Sequence, residues 1–445
     1  MKNFLSKDIL ISRFSQGCKS KQDWRIGTEH EKFGFRKNDL RPIIFEDIQK
    51  IFIDLSNKYS WEKVLENKKI IELRKNGASI TLEPGGQIEL SGAPFKNLFQ
   101  TCREVNQHHD ELNEICKNYE IEFMGIGVLP KWNMDDLKIM PKERYKIMQK
   151  YMKKVGEKGL DMMMRTTTIQ ANFDFSSESD MVKKFRISQS IQPLIIALYA
   201  NSPFIDGKLT DYLSFRSHIW TKTDIDRCGL LSFVHEEDFS FERYVDYLLD
   251  VPMYFIVRNN KYIDMKGITF RDFLGGTTKI TDEYDPKIED WELHITTVFP
   301  EVRLKSFLEL RGADGGPWSR VCALPAFWTG ILYDEVSLDK VYSLIESWNF
   351  NDIKNFYEEV RKFGLKTTTP DGEGLINFSK KIIQISTDGL VNRGITKNGK
   401  AEDSFLNPLK KILDSGLTPA ETWKNLYLNE WSKKIDMLYK NNYFK

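Results

Sequence analysis

One stretch constrains this chain more than any other: Ile26–Phe35, reading I-G-T-E-H-E-K-F-G-F. As a β-strand it sends Gly27, Glu29, Glu31, Phe33 and Phe35 to one face and Thr28, His30 and Lys32 to the other. The rings of Phe33 and Phe35 call for a core, so Glu29 and Glu31 come to the same inward face with no base between them. Two buried carboxylates repel and lose hydration, and they need arginine, protonation or a metal ion to compensate. The other reading has the strand turning at Thr28, with both glutamates facing water.

The rest of the chain supplies a setting for such a strand. At 445 residues it can bury a large core. Ile43–Lys58 has the 3.6-residue apolar spacing of a helix, and so do Asn97–Tyr119, Pro141–Lys154, Ser179–Tyr199, Phe241–Leu249 and Ile288–Thr297. Met1–Phe14, with Phe4, Leu5, Ile9, Leu10 and Phe14, predicts a first helix. Asn76-Gly77 joins Ile70–Leu73 to Ala78–Leu82 as a hairpin, and Asn259-Asn260 joins Tyr254–Val257 to Lys261–Ile263. Glu122–Val128, Asp161–Phe175, Leu213–Trp220 and Arg303–Arg311 read as extended, and the chain is helical almost throughout from Ser337. Strands alternating with long helices would suit a parallel doubly wound sheet, but the hairpin signals favour an antiparallel one with helices packed outside. The expectation is a single α+β catalytic domain over 1–445: a sheet-bearing core to about residue 335 and a mostly helical part, about 336–445, packed on it.

Several function classes drop out. Lys and Arg number 65 against 64 Asp and Glu, which gives no electrostatic case for a nucleic-acid or membrane partner. The longest apolar runs, Pro193–Ala200 and Ala323–Leu332, fall far short of the roughly 20 residues of a membrane span. The N-terminus lacks the pattern of a signal peptide, which leads to the expectation of a cytoplasmic protein. The five cysteines are scattered and form no C-x-x-C pair. There is no P-loop, H-E-x-x-H, G-x-S-x-G or kinase signature, and Val-Leu-Pro after Gly125-Ile-Gly127 cannot complete a Rossmann fingerprint. His108 and His109, on the long helix, face solvent or helix neighbours in this reading.

What remains is carboxylates in apolar strands. Besides Glu29 and Glu31, Glu83 and Glu89 flank the Pro84-Gly85-Gly86 turn, and Glu309 shares a strand face with Arg311. Strands are poor in glutamate, so the joint pattern is informative. An oxygen-only ligand set favours hard cations, Mg²⁺ or Mn²⁺; a salt-bridged sheet is the alternative. Arg144, Arg216 and Arg227 occupy comparable settings. Fork-shaped guanidiniums beside metal ions suit a triphosphate and a carboxylate substrate, and ordinary ion pairs are the plain reading of each arginine alone.

Taken together, T-E-H-E-K-F-G-F, L-E-P-G-G-Q-I-E-L-S-G-A-P, M-M-M-R-T-T-T-I-Q-A-N-F-D-F, N-S-P-F and F-R-S-H-I-W-T-x-T-D resemble the plant and proteobacterial type of glutamate–cysteine ligase. V-P-M-Y-F, T-F-R-D-F-L, F-P-E-V-R-L-K, E-L-R-G-A-D-G-G-P-W and L-T-P-A-E extend the likeness, in the family's order, from about Ile26 to Glu421. The resemblance implies a glutamine-synthetase-like fold, a curved antiparallel sheet forming an active-site funnel flanked by helices. It implies ATP-dependent ligation of the L-glutamate γ-carboxyl to the L-cysteine amine through a γ-glutamyl phosphate, the first step of glutathione biosynthesis. The alternatives are a related carboxylate–amine ligase with another acceptor, or a catalytically dead binding relative. The resemblance assigns two or three Mg²⁺ ions (Mn²⁺ as the alternative) to Glu29, Glu31, Glu83, Glu89, Gln170 and Glu309, with Gln170 standing where related ligases have histidine. Arg311, with Glu309, acts on the transferring phosphoryl group; Arg144, Arg216 and Arg227 hold substrate, and Trp220 walls the pocket. The partners implied are L-glutamate, L-cysteine and ATP, acting on a monomer or homodimer. Plant members carry a transit peptide, and the start of this chain leads to the expectation of a bacterial cytoplasmic form. Cys102 and Cys322 match one redox pair of the plant enzymes and are expected to be close in space; Met265 replaces a cysteine of the other.

Overall fold

The computed structural model describes residues 5–441. Its centre is a nine-stranded, wholly antiparallel sheet. The strands are β1 (Ile26–Arg36), β2 (Glu62–Glu66), β3 (Lys69–Lys75), β4 (Ala78–Leu82), β5 (Ile88–Ser91), β6 (Ile121–Met124), β7 (Thr168–Phe173), β8 (Val302–Leu304) and β9 (Leu308–Asp314). They lie in the order β8-β9-β7-β1-β5-β4-β3-β2, while β6 pairs with the distal half of β1. β1, which carries Glu29 and Glu31, is therefore central, with three partners.

Register decides what shares a face. Residues directly opposite in an antiparallel pair lie on the same side, about 4.5–5.5 Å apart. Glu31 is opposite Glu89, Glu89 opposite Thr81 and Thr81 opposite Glu72. The next row is Gln170, Glu29, Ser91 and Ser79, and the next is Arg303, Glu309, Asn172 and Gly27. One face is polar, and largely acidic, across seven strands. The opposite face presents Ile169, Ala171, Phe173, Leu310, Ile80, Leu90 and Leu73, all buried.

Helices flank the sheet on both faces. They include α1 (Lys7–Ser15), α2 (Phe45–Tyr59), α3 (Leu98–Cys116), α4 (Glu143–Met152), α5 (Gly159–Arg165), α6 (Glu178–Ser190), α7 (Gln192–Tyr199), α8 (Phe215–Thr221), α9 (Trp318–Leu332), α10 (Phe350–Phe363) and α11 (Leu375–Asn392). α2 packs on β3, α3 on β1 and β6, α7 on β9, and α9 on β7 and β1. One apolar cluster joins Ile169, Ala171 and Phe173 of β7 to Trp328 of α9, Phe378 of α11 and Leu413. The C-terminal helices thus share a core with the sheet. No helix among the described residues is long and apolar enough to cross a membrane.

Three sequence expectations are corrected. The segment expected to be extended over Asp161–Phe175 begins as helix α5 and becomes strand only at Thr168; the unbranched Met162, Met163 and Met164 are good helix formers. Leu213–Trp220, also expected extended, is helix α8, started by Ser214, whose Oγ accepts from the Ser217 N–H at 3.2 Å. The long helix over Ser179–Tyr199 is two helices, broken at Ile191 just before Pro193, which lacks an N–H to continue the ladder. The first helix forms at Lys7–Ser15, and Phe4 of that expectation lies outside the described residues. His108 is buried rather than solvent-facing, edge-on to His30 at 5.7 Å.

Gly330 of α9 and Gly389 of α11 let two helix backbones touch. A Cβ on Gly330 would collide with the Ser386 carbonyl, and one on Gly389 with the Gly330 carbonyl. Gly330→Ala should therefore lower stability by about 1–3 kcal/mol in urea denaturation, while the folded fraction keeps its activity per molecule. Unchanged stability would mean that the helices part at little cost.

Candidate active site

The acidic face floors a cavity of about 390 Å³. Glu29 and Glu31 reach it from β1, Glu83 and Glu89 from the two ends of the β4–β5 turn, and Gln170 from β7. That turn is closed by the Glu83 N–H donating to the Gln87 carbonyl at 2.8 Å. The walls are Arg144 and Tyr145 of α4, Met162 and Met163 of α5, Arg216 and Trp220 of α8, and Phe299, Arg303 and Arg311 from the β8–β9 region. α4 is pinned by the Tyr145 hydroxyl, which donates to the Leu82 carbonyl at 2.8 Å. α8 is pinned through Asp314, whose carboxylate accepts from the hydroxyls of Ser202 (2.6 Å) and Ser214 (2.7 Å) and from the Asn201 N–H (2.8 Å). The N-S-P-F, F-R-S-H-I-W and E-L-R-G-A-D segments thus meet at one buried carboxylate.

The four open glutamates are under-compensated. Asn172 Nδ2 donates to Glu29 Oε1 at 2.8 Å, the Thr168 N–H to Glu31 Oε2 at 3.0 Å, and Thr81 Oγ1 lies 3.1 Å from Glu83 and 3.0 Å from Glu89. None of the four has an ion pair among the described residues. Burial, and next the charge of Glu83, push the Glu31 carboxyl up to about 8, against the pull of Arg216 and Arg311. Burial and the charges of Glu83, Glu29 and Glu31 raise Glu89 in the same way. Four carboxylates facing one cavity without a cationic partner, of which Glu31 and Glu89 are held back from ionising by burial and like charge, fit a divalent hard cation entering that cavity.

Glu309 departs from the expectation of an open metal ligand. It is fully buried, its Oε2 accepts from Arg303 Nε at 2.7 Å, and its Oε1 accepts from Arg303 Nη2 and Arg311 Nη1, each at 2.8 Å. Lys305 adds a fourth contact at 3.2 Å. Burial pushes this carboxyl up, but Arg303, Lys305 and Arg311 outweigh it and hold the group well below the usual carboxylate range. Its acceptor capacity is spent on the arginines it aims. Gln170 is engaged as well, its Oε1 accepting from Arg311 Nη1.

Among the expected substrate-binding arginines, Arg144 and Arg216 line the cavity and Arg227 does not. Arg144 lies over the Phe255 ring at 5.6 Å, and its Nε has no hydrogen-bond partner. Arg216 donates to the carbonyls of Gly312 (3.3 Å) and Arg311 (2.9 Å), also with its Nε unpartnered, and lies 5.7 Å from the Trp220 ring. Arg227 is corrected to a structural residue. It is fully buried, donates to Asp224 at 2.6 Å and to the carbonyls of Thr297 and Pro252, and lies over Tyr254 at 4.0 Å. Cys102 of α3 and Cys322 of α9 are buried neighbours with free thiols; burial first, then a hydrogen bond to Cys322, pushes the Cys102 thiol up.

Sequence reasoning missed Arg303, Glu72 and Lys142, which also line the cavity. Arg303 stands inside a quoted motif, F-P-E-V-R-L-K. Glu72 could have been reached by carrying the strand alternation across the Asn76-Gly77 hairpin.

The family model described as Glutamate-cysteine ligase family 2 matches residues 25–441. The chloroplastic glutamate–cysteine ligase of Medicago truncatula is 50% identical over 435 residues, covering 98% of this chain and 84% of that protein. That of Nicotiana tabacum is 50% identical over 436 residues, covering 98% and 82%. Among solved structures, a glutamate–cysteine ligase from Francisella tularensis, in complex with AMP, matches 92% of this chain and 86% of its own at a TM-score of 0.52, with 14% identity, a likeness of fold. The relatives matched at about 50% identity are chloroplastic enzymes, which overturns the expectation of a cytoplasmic protein.

The raised Glu31 carboxyl sets a pH dependence. The unfolded chain releases this proton near the ordinary value of 4.5, the ion-free folded protein only near about 8. The folded state therefore holds the extra proton between these limits, and its stability falls as pH rises through them. A divalent cation relieves the repulsion of the ionised form, so Mg²⁺ should raise the melting temperature over an EDTA-treated sample more at pH 8 than at pH 5.5. An equal or reversed difference would refute the assignment.

Proposed function

The chain belongs to glutamate–cysteine ligase family 2, and from that premise we infer that it is an ATP-dependent ligase joining the γ-carboxyl of L-glutamate to the amine of L-cysteine, the first step of glutathione synthesis. The observation that carries the site assignment is the meeting, in one cavity, of four open carboxylates with guanidiniums whose donors are not all used.

A carboxylate is a poor electrophile, and ATP converts the γ-carboxyl to a γ-glutamyl phosphate from which the cysteine amine displaces phosphate. No protein nucleophile is needed; the work is positioning and charge neutralisation. We assign Glu29, Glu31, Glu83 and Glu89 to hold two or three Mg²⁺ ions, with Mn²⁺ as the substitute and Gln170 beside them. Bound Mg²⁺ supplies positive charge to the triphosphate oxygens. Arg311, held by Glu309 and Gln170, presents its remaining donors to the phosphoryl group in transfer, and Glu309 acts as the anchor that aims it. Arg144 and Arg216 grip the glutamate carboxylates, and Trp220 walls that end and limits water. One chain provides every residue of this site, so a monomer or a homodimer satisfies the reading, as does a single catalytic unit in which the helical C-terminal part braces the sheet.

The test is ADP release with L-glutamate, L-cysteine, ATP and Mg²⁺. Turnover should require all four, and release that is independent of cysteine would refute the acceptor assignment. Arg216→Lys should raise the KM for L-glutamate by roughly tenfold or more, because lysine cannot reproduce the guanidinium fork. The KM for ATP should stay nearly constant, and an unchanged glutamate dependence would remove Arg216 from the substrate grip.

A further inference from the structure

Behind Arg216 lies a buried carboxylate that takes no part in lining the cavity. Glu301, 6% exposed, precedes β8. Its Oε1 accepts from the Tyr357 hydroxyl on α10, while Oε2 has no hydrogen-bond partner. That oxygen sits against Gly312: a Cβ there would collide with it. Gly312 is also the residue whose carbonyl accepts from Arg216 Nη1.

The main chain ties the same groups together. The Arg311 N–H donates to the Glu301 carbonyl at 3.0 Å, and the Arg311 carbonyl accepts from Arg216 Nη2 at 2.9 Å. The Arg311 peptide is therefore held by Glu301 on one side and Arg216 on the other. Among the other carboxylates nearby, Glu309 is taken by Arg303, Lys305 and Arg311, and Glu31 opens to the cavity. Asp314, hydrogen-bonded by Ser202, Ser214 and the Asn201 N–H, keeps its charge and is also drawn on by Arg216, from the side where α8 starts. Burial pushes the Glu301 carboxyl up, and of the groups that pull it back Arg216 is the strongest. A guanidinium without a counter-charge behind it would be drawn toward the open glutamates in front.

We propose that Glu301 is a positioning residue for the substrate grip: its carboxylate, held by Tyr357, supplies counter-charge on the Gly312 side, in addition to Asp314 at the start of α8, and keeps the Arg216 guanidinium seated against Gly312 and Arg311, so that its free edge meets substrate. α10 thereby reaches the site without touching substrate. Arg361 of the same helix braces α8 at both ends, its carbonyl accepting from the N–H groups of Leu213 and Ser214 and its Nη1 donating to Thr221 Oγ1 at 2.6 Å. This inference rests on the assignment of Arg216 to L-glutamate.

The test is steady-state kinetics of Glu301→Gln, Tyr357→Phe and the double variant in the full-length protein. Glu301→Gln keeps the shape and removes the charge; it should raise the KM for L-glutamate about tenfold, with kcat and the KM for ATP within about threefold. Tyr357→Phe should raise the same KM by about threefold, and the double variant should match Glu301→Gln within about twofold, because Tyr357 acts through Glu301. An unchanged KM for L-glutamate in Glu301→Gln, an equal rise in both KM values, or multiplying effects in the double variant would overturn the proposal. Should Glu301→Gln fail to fold, Tyr357→Phe decides alone: a selective rise supports the role and an unchanged KM overturns it. If Arg216→Lys raises the KM and Glu301→Gln does not, only the role of Glu301 falls; if Arg216→Lys leaves it unchanged, the reading of Arg216 falls first.

Discussion

Glu29, Glu31, Glu83 and Glu89 repel one another, and much of the structure around them answers that repulsion. Register puts Glu31 directly opposite Glu89, and alternation puts Glu29 beside Glu31 on the same face. The pairing cannot slip to relieve them, because a one-residue shift would turn Ile80, Leu90, Ile169 and Ala171 out of the core. A sheet whose back face is committed to apolar packing has its front face fixed as well. The acidic cluster is therefore built by the same alternation that builds the core, and it is stable only if positive charge arrives from elsewhere.

Two kinds of positive charge are arranged around it, and they divide the carboxylates into two classes. Glu309 receives its compensation from the protein, in a bidentate contact with Arg303 and further contacts with Arg311 and Lys305. The other four receive hydrogen bonds from Asn172, Thr168 and Thr81 but no ion pair among the described residues. Compensated and open carboxylates lie on the same face, with β7 between Glu309 and Glu29. A buried ion pair of the first kind costs desolvation and gives geometry: it fixes where Arg311 points. The second kind keeps its charge unspent for what enters the cavity. Even the back of β1 contributes, for Lys32 is buried on the far side of the same strand; burial pulls it down to about 7, while the charges of Glu89 and Glu31 oppose that pull.

Much of this was legible in the residues. The strand at Ile26–Arg36, the Asn76-Gly77 hairpin and the antiparallel sheet follow from alternation and turn chemistry, and the four open glutamates were found because strands rarely carry them. The segments that went astray did so for identifiable reasons. At Leu213–Trp220 the helix Phe215–Thr221 has only seven residues, too few to separate a period of 3.6 from one of 2, and the deciding contact, Ser214 to Asp314, spans 100 residues. Arg227 and Arg216 look alike in sequence, each beside polar and apolar residues; one is consumed by Asp224 and two carbonyls, the other keeps an edge toward the cavity. Glu309 was read as open because its partner Arg303 lies across a strand pair rather than beside it. Long-range pairing is what separates an anchored charge from an available one, and local pattern does not contain it.

The same distinction explains why the C-terminal helices matter to a site they do not line. α8 is only seven residues long, too short to hold its own conformation in water, where isolated helices shorter than about 12 residues are marginal. It carries Arg216 and Trp220, so its orientation must come from tertiary contacts. Asp314 fixes its start, and Arg361 of α10 holds both its ends. α10 in turn packs in the cluster that contains β7 and α9, through Ile353, Phe356, Tyr357 and Val360. The path from the apolar core to the cavity wall thus runs through buried elements, and a helix too short to be stable alone can present the Arg216 guanidinium to the cavity at a fixed position.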